Sequence, residues 1–271
     1  MTRLLTAAIL IPITWWTCKR APFPVFLAIA MTTIGICAWE CLGLLRARGS
    51  RPFTTLGVAF SLLVVWSYSG LTPGLAPIDA IVASAVLLPA LSMWRRDAPD
   101  AMLDAVWSTL LAIVFVGATL AHSIALRAVP GERGSDLLML LLVCVTFSDT
   151  AAYYVGSTLG RRRLAPSISP KKSWEGLFGG IAWGVAGALL GTFWFFRALP
   201  AGHAVAVGIL VSLCGVVGDL AESMLKRAAG RKDSSALLPG HGGMLDRLDG
   251  LLVAAPVLYY YWRIFLSGAL A

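Results

Sequence analysis

The chain has 271 residues, 58% hydrophobic and 13% charged, with a formal net charge of +8. A mean hydropathy of +0.79 and roughly half the charged fraction of an average globular chain exclude a soluble particle of this size, because so few charges could not coat it. The positive balance does not call for nucleic acid. No basic stripe with interleaved aromatics occurs, and the cytoplasmic bias of Lys and Arg in membrane proteins, with anionic head groups nearby, accounts for it.

About nine apolar runs have lengths that fit spans across a ~30 Å hydrocarbon core. They fall at 3–18, 22–45, 53–70, 77–94, 104–126, 136–159, 175–197, 202–222 and 249–268. Backbone polar groups in lipid must be bonded internally, so these runs are expected to be helices. The expected fold is an all-α polytopic membrane protein with a polar cavity on its cytoplasmic side. The first run, Leu4 to Trp16, lacks a small-x-small cleavage site and is followed by Lys19-Arg20, which favours a retained helix over a signal peptide. With nine spans, Arg3, Arg46, Arg48, Arg51, Arg95, Arg96, Arg161, Arg162, Arg163, Lys171, Lys172 and the cations of 226–247 share one side. Lys19, Arg20, Arg127, Arg133, Arg197 and Arg263 fall on the other. The richer side is expected to be cytoplasmic, which gives a multi-pass protein of the inner (plasma) membrane with its polar loops facing the cytoplasm.

Residues 1–133 read as membrane scaffold. The acid Glu40, inside the second span, is either functional, as intramembrane acids are by default, or a partner for Arg46 or Arg48. Cys18, Cys37, Cys41, Cys144 and Cys214 form no Cys-x-x-Cys pair and read as small packing residues.

Residues 134–271 carry the chemistry. Asp149 lies inside the sixth span, with Ala152, Tyr153 and Gly156 on its face. The Arg-rich turn after that span leads to Ser169-Pro170-Lys171-Lys172-Ser173, placed at the start of the seventh helix. A helix N-terminus with two lysines makes a phosphate seat there. On the eighth span Asp219, Glu222, Ser223 and Lys226 follow i, i+3, i+4, i+7 and share a face. Carboxylates on that face suit a hard cation such as Mg²⁺, which also binds substrate phosphates; the plain alternative is a salt-bridge stripe. Beyond them come Arg227, Lys232-Asp233, Gly240-His241-Gly242-Gly243 and Asp246-Arg247-Leu248-Asp249. Glycines let backbone N–H groups approach phosphate oxygens. Asp219, Asp246 and Asp249 can build one metal site. His241 is either an acid–base group or a hydrogen-bond donor to phosphate, the second being preferred.

The segment Ser223 to Asp249, with Lys226-Arg227, Lys232-Asp233, Pro239, His241-Gly242-Gly243 and Asp246-Arg247, resembles the signature of the phosphatidate cytidylyltransferase (CDP-diacylglycerol synthase) family. Ser148-Asp149-Thr150-Ala151-Ala152-Tyr153 and Ile168 to Gly176 resemble two further segments of that family. The likeness covers about residues 140–255 (a motif-level estimate). Ser235 stands where many members have glycine, Gly250 where many have serine, and Lys172-Ser173 replaces the common Lys-Thr.

The resemblance implies a nucleotidyltransferase that converts CTP and phosphatidate to CDP-diacylglycerol and pyrophosphate in phospholipid biosynthesis. It implies that Asp219, Asp246 and Asp249 bind Mg²⁺, with K⁺ a candidate second cation. Asp219, Asp246, Lys226 and His241 are the implied catalytic group. Lys226, Arg227, Lys232 and His241 hold phosphates, and Lys171, Lys172 and Ser173 meet the nucleotide or lipid phosphate. Asp149 completes the chamber for the lipid head, and Ser223, Asp233, Gly242, Gly243 and Arg247 complete the substrate-binding set. Membrane lipids are further partners, nucleic acid is not, and a homodimer is left open. Two rivals remain: another membrane phospho-alcohol or nucleotidyl transferase, whose aspartates would cluster in one run, and a non-catalytic transporter, which leaves the glycine-rich loop unexplained.

Overall fold

The structure is a computed structural model that describes residues 12–95, 97–237, 240 and 242–268. The expectations for Leu4, Arg96, Pro239 and His241 therefore lie outside the described residues. The described residues are predominantly helical, and helices stand at the apolar runs expected from the sequence. They are α1 (Phe23–Ala47), α2 (Thr54–Ser67), α3 (Pro77–Ser92), α4 (Pro99–Ala112), α5 (Thr119–Arg127), α6 (Glu132–Leu159), α7 (Trp174–Trp194), α8 (Ala201–Ala228), α9 (Leu245–Leu248) and α10 (Leu251–Tyr261). A π-helical turn, Ile113–Ala118, joins α4 to α5, and another, Trp262–Leu266, follows α10. The first apolar run is helical over 12–19.

Among the described residues five helical stretches are long and apolar enough to cross a membrane: Phe23–Ala47, Pro99–Arg127, Glu132–Leu159, Trp174–Trp194 and Ala201–Ala228. At ~1.5 Å per residue, α2 with 14 residues and α3 with 16 fall short of a ~30 Å core. Among the described residues the sheet is a single hairpin, β1 (Arg163–Ala165) paired antiparallel with β2 (Ser169–Ser173). It corrects the placing of Ser169 to Ser173 at a helix start. These residues form a strand, and the helix begins at Trp174 with Ser173 as its N-cap.

The chain divides into two compact units. The first holds residues 1–22, 126–223 and 249–271; the second holds 23–125 and 224–248. In the first unit α6 and α7 lie antiparallel against each other through small residues. A Cβ on Gly176 would meet the Ala152 carbonyl at 2.8 Å, and one on Gly180 the Ser148 carbonyl at 3.0 Å. Glycine lets two backbones approach this closely, which is how helices associate where lipid supplies no hydrophobic drive. Arg127 donates to the carbonyls of Cys18 and Ala21, both at 3.0 Å, and Lys19 pairs with Asp136. In the second unit α1 buries Ile34, Cys37, Ala38, Cys41 and Leu42. There Gly57 sits against Leu42 and Thr109, and Gly117 against Ser61.

Candidate active site

Each unit holds a polar cluster built by residues of the signature or of the helices around it. In the first, the helical repeat of α8 brings Asp219 and Glu222 to one face, and the turn before α10 adds Asp249. One carboxylate oxygen from each lies within 4.8 Å of the others. Glu222 is buried, while Asp219 and Asp249 are half-buried. Gly218 makes this approach possible, because a Cβ there would run into the Asp249 carbonyl oxygen. The Lys172 ammonium, delivered by β2, pairs with Asp219 Oδ2 at 2.7 Å. Ser223 Oγ donates to Asp219 Oδ1 at 3.2 Å, and Asp249 Oδ1 accepts from the Gly250 N–H at 2.7 Å. Asp149 lies within electrostatic reach of Asp219 and Lys172. Lys171 is exposed, while Ser173 is buried and accepts from the Gly176 N–H at 3.1 Å.

In the second unit the signature loop is gripped by two acids. Asp246 pairs with Lys226 at 2.6 Å, both side chains being largely buried. Asp246 Oδ2 also accepts from the Gly243 N–H at 2.7 Å and from the Ser234 N–H and hydroxyl, both at 2.9 Å. Burial pushes the Asp246 carboxyl up, but the Lys226 ammonium and the Gly243 and Ser234 N–H groups outweigh it and hold it at about 2. Glu40, 1% exposed, takes the loop from the other side. Its Oε1 accepts from the Ser235 hydroxyl at 2.6 Å and the Met244 N–H at 3.0 Å. Its Oε2 accepts from the Leu245 N–H at 2.7 Å, and the Ser234 hydroxyl, 3.1 Å from it and 2.9 Å from Asp246 Oδ2, shares its one proton between the two carboxylates. Gly242 adopts φ +78° and Gly240 φ +76°, a left-handed backbone that favours glycine. Gly243 leaves no room for a Cβ, which would strike Ser234 and Glu40. Arg227 donates to the Arg231 carbonyl at 3.0 Å, and Lys232, Asp233 and Arg247 are exposed.

The structure therefore gathers Asp219 and Asp249 as the sequence suggested and adds Glu222, which the sequence reading placed on the same face but left out of the metal set. Asp246 is not one of the three clustered carboxylates; its oxygens serve Lys226 and the loop. Glu40 binds neither Arg46 nor Arg48; its partners are Ser234, Ser235, Met244 and Leu245. Its intramembrane charge was the available signal, but its partners lie too far along the chain to be guessed.

The donor set fits a hard divalent ion. Oxygens sharing a Mg²⁺ at ~2.1 Å can stand at most ~4.2 Å apart, close to the spacing of the three acids. Three clustered carboxylates also demand positive charge, and Lys172 supplies part of it.

Residues 1–265 match the model of the cytidylyltransferase family. The chain is 36% identical to the phosphatidate cytidylyltransferase of Brucella suis, over 97% of this chain and 93% of that protein. It is 34% identical to the phosphatidate cytidylyltransferase of Pseudomonas aeruginosa, over 94% of each. A Mycobacterium leprae phosphatidate cytidylyltransferase is 37% identical over 63% of this chain and 51% of its own length.

Proposed function

The chain belongs to the cytidylyltransferase family, and from that premise we propose that it makes CDP-diacylglycerol from CTP and phosphatidate, with a divalent cation held by Asp219, Glu222 and Asp249. The observation that carries the site assignment is the meeting of these three carboxylates beside the Lys172 ammonium.

A phosphate oxygen of phosphatidate attacks the α-phosphorus of CTP. A P–O bond forms there as the bond to the β-phosphate oxygen breaks, and pyrophosphate leaves. The attacking oxygen is already ionised, so no strong base is required. Both reactants are anions, and their repulsion is a large part of the barrier. When bound, Mg²⁺ neutralises charge on the triphosphate and on the departing pyrophosphate. Lys172 does the same from β2, as a cation fixed before the reaction starts, so little reorganisation is needed. Asp149 adds polarity beside Asp219 and Lys172, and Ser223 fixes the orientation of Asp219. Lys226, Arg227 and Lys232 are the cations of the signature segment assigned to phosphate. The N–H groups around Gly242 and Gly243, held in register by Asp246 and Glu40, form the bed of that loop. His241 donates a hydrogen bond to phosphate.

Residues 134–271 carry this chemistry and 1–133 the scaffold. The chain crosses the bacterial inner membrane about nine times, the shorter helices crossing where the bilayer thins around them. The polar clusters face the cytoplasm, where CTP is found, and a K⁺ ion and a second copy of the chain are the remaining expected partners. The test is direct. Purified protein is given phosphatidate, Mg²⁺ and CTP labelled at the α-phosphate. Label is expected in the lipid phase with one pyrophosphate released per lipid formed. Solute uptake into vesicles without CTP consumption would instead support a transporter.

A further inference from the structure

A stripe on α1 joins two hollows of opposite character. Thr32, Gly35, Ile36, Trp39, Gly43 and Arg46 follow the helical repeat and share one face. Along the first part of the stripe lies an apolar groove of about 430 Å³, closed on its far side by Val58 and Leu62 of α2. Along the last part lies a polar hollow of about 300 Å³, walled by Arg46, Arg231, Ser234 and Ser235. Trp39 lines both. The pair therefore has the shape of an amphiphile: an apolar slot, an indole at the join, and a cationic end. Indoles settle where hydrocarbon gives way to head groups.

The polar hollow is built to receive an anion. The Glu40 carboxylate in its wall has both oxygens engaged by the Ser235 hydroxyl and the Met244 and Leu245 N–H groups, and the two guanidiniums of the hollow outnumber its one negative charge. Arg46 spends one contact on Thr54 and keeps further N–H donors in hand. The Arg231 backbone is pinned at both ends: its N–H donates to the Lys226 carbonyl at 2.8 Å, and its carbonyl accepts from Arg227. Among the described residues the Arg231 guanidinium has no acceptor. Two guanidiniums facing one hollow suit the doubly charged phosphate monoester, which binds arginine with paired, charge-assisted hydrogen bonds. Ser234 in the wall also touches Asp246, so a head group here would abut the signature loop.

We propose that this composite cleft on α1 is the seat of phosphatidate, with an acyl chain in the α1–α2 groove and the phosphate between Arg46 and Arg231. The assignment rests on the proposed function for the identity of the lipid. Gly43 keeps the head-group hollow open: a Cβ there meets nothing within 4 Å, so a larger side chain enters the space without a clash.

The test uses the full chain in mixed micelles, with the phosphatidate mole fraction and CTP titrated separately. Gly43→Leu fills the hollow, Arg231→Ala removes an exposed cation without touching the core, and Gly202→Leu, also in open space, controls for enlarging a helix glycine. Both cleft variants should raise the KM for phosphatidate about tenfold while the KM for CTP moves by less than about twofold. Gly202→Leu should match the unsubstituted protein. An unchanged phosphatidate KM in both cleft variants, or equal rises in both KM values, overturns the proposal. Phosphatidylglycerol, a singly charged diester, should compete weakly. If it competes as well as phosphatidate, and only while Gly43 is present, the cleft takes anionic lipids at large and the substrate assignment falls. If no CDP-diacylglycerol forms at all, the functional reading fails by itself. Retention of labelled phosphatidate then decides: loss in Gly43→Leu upholds the cleft, and equal retention overturns it.

Discussion

Glu40 Oε2 accepts the Leu245 N–H at 2.7 Å across 205 residues of sequence. An acid in an early helix thus fixes the backbone just before Asp246, and Ser234 touches both acids. Removing Glu40 leaves the Met244 and Leu245 N–H groups and the Ser235 hydroxyl without their acceptor, while Ser234 keeps Asp246, and each buried donor so abandoned costs about 1–3 kcal/mol. Glu40→Gln is nearly as harmful, because both oxygens are in use and the amide must turn an NH₂ toward a backbone N–H. Glu40→Ala and Glu40→Gln are both expected to lower kcat more than tenfold (about 1.4 kcal/mol in barrier) and to speed hydrogen exchange over residues 233–248. Slow exchange there in both variants would show that the loop is held by something else.

The depressed Asp246 carboxyl sets a pH window. Its folded value of about 2 lies below the ordinary 3.8. The ion pair therefore contributes full stability above about pH 4 and loses it as pH falls toward 2, where the folded carboxyl takes up its proton. The stability difference between the unsubstituted protein and Asp246→Asn is expected to be flat from neutral pH to about pH 4 and to shrink only below that. Thermal unfolding of both proteins across this range reads it out. A difference that fades already near pH 6 would contradict the Lys226 pairing.

Lys172 shares Asp219 with any bound cation. Lys172→Met removes a competing positive charge from the three acids, so half-saturation by Mg²⁺ should shift to lower concentration by roughly threefold or more, since a neighbouring opposite charge moves such equilibria by about a unit. Turnover should fall at the same time, because a fixed cation that offsets substrate repulsion is gone. A variant with unchanged Mg²⁺ requirement and unchanged turnover would remove Lys172 from the site.

Gly218 acts on the site without supplying a ligand. In Gly218→Ala the new methyl must displace the Asp249 carbonyl, and overpacking of this kind costs about 1–3 kcal/mol. Weaker Mg²⁺ dependence and a lower melting temperature are expected together. Normal Mg²⁺ affinity in a destabilised Gly218→Ala protein would mean that Asp249 is no ligand.

Much of this was legible in the sequence because the information is local. Hydrophobic run length marks the helices, and a contiguous polar segment marks the signature. The i, i+3 repeat puts Asp219 and Glu222 on one face. Glu222 was nonetheless passed over, since a helix face shows which acids are neighbours but not which of them a distant turn approaches. The i, i+3 spacing of Asp246 and Asp249 suggests that both point one way toward a metal; in the fold the Asp246 oxygens meet Lys226, Ser234 and Gly243. The β-hairpin stayed hidden, its strands being three and five residues long and one of them holding Pro170. The partners of Glu40 could not be read at all, because nothing local in α1 specifies a contact made roughly two hundred residues later.

The central claim is that Asp219, Glu222 and Asp249 together hold the divalent ion that lets two anions react. It is tested most directly by following label from CTP into lipid as free Mg²⁺ is varied, in the unsubstituted protein and in Glu222→Gln. Chelation should abolish transfer in both, and half-saturation in the variant should require at least about tenfold more Mg²⁺, the usual scale for losing one ligating contact. Identical Mg²⁺ curves for the two proteins, or full transfer after chelation, would contradict it.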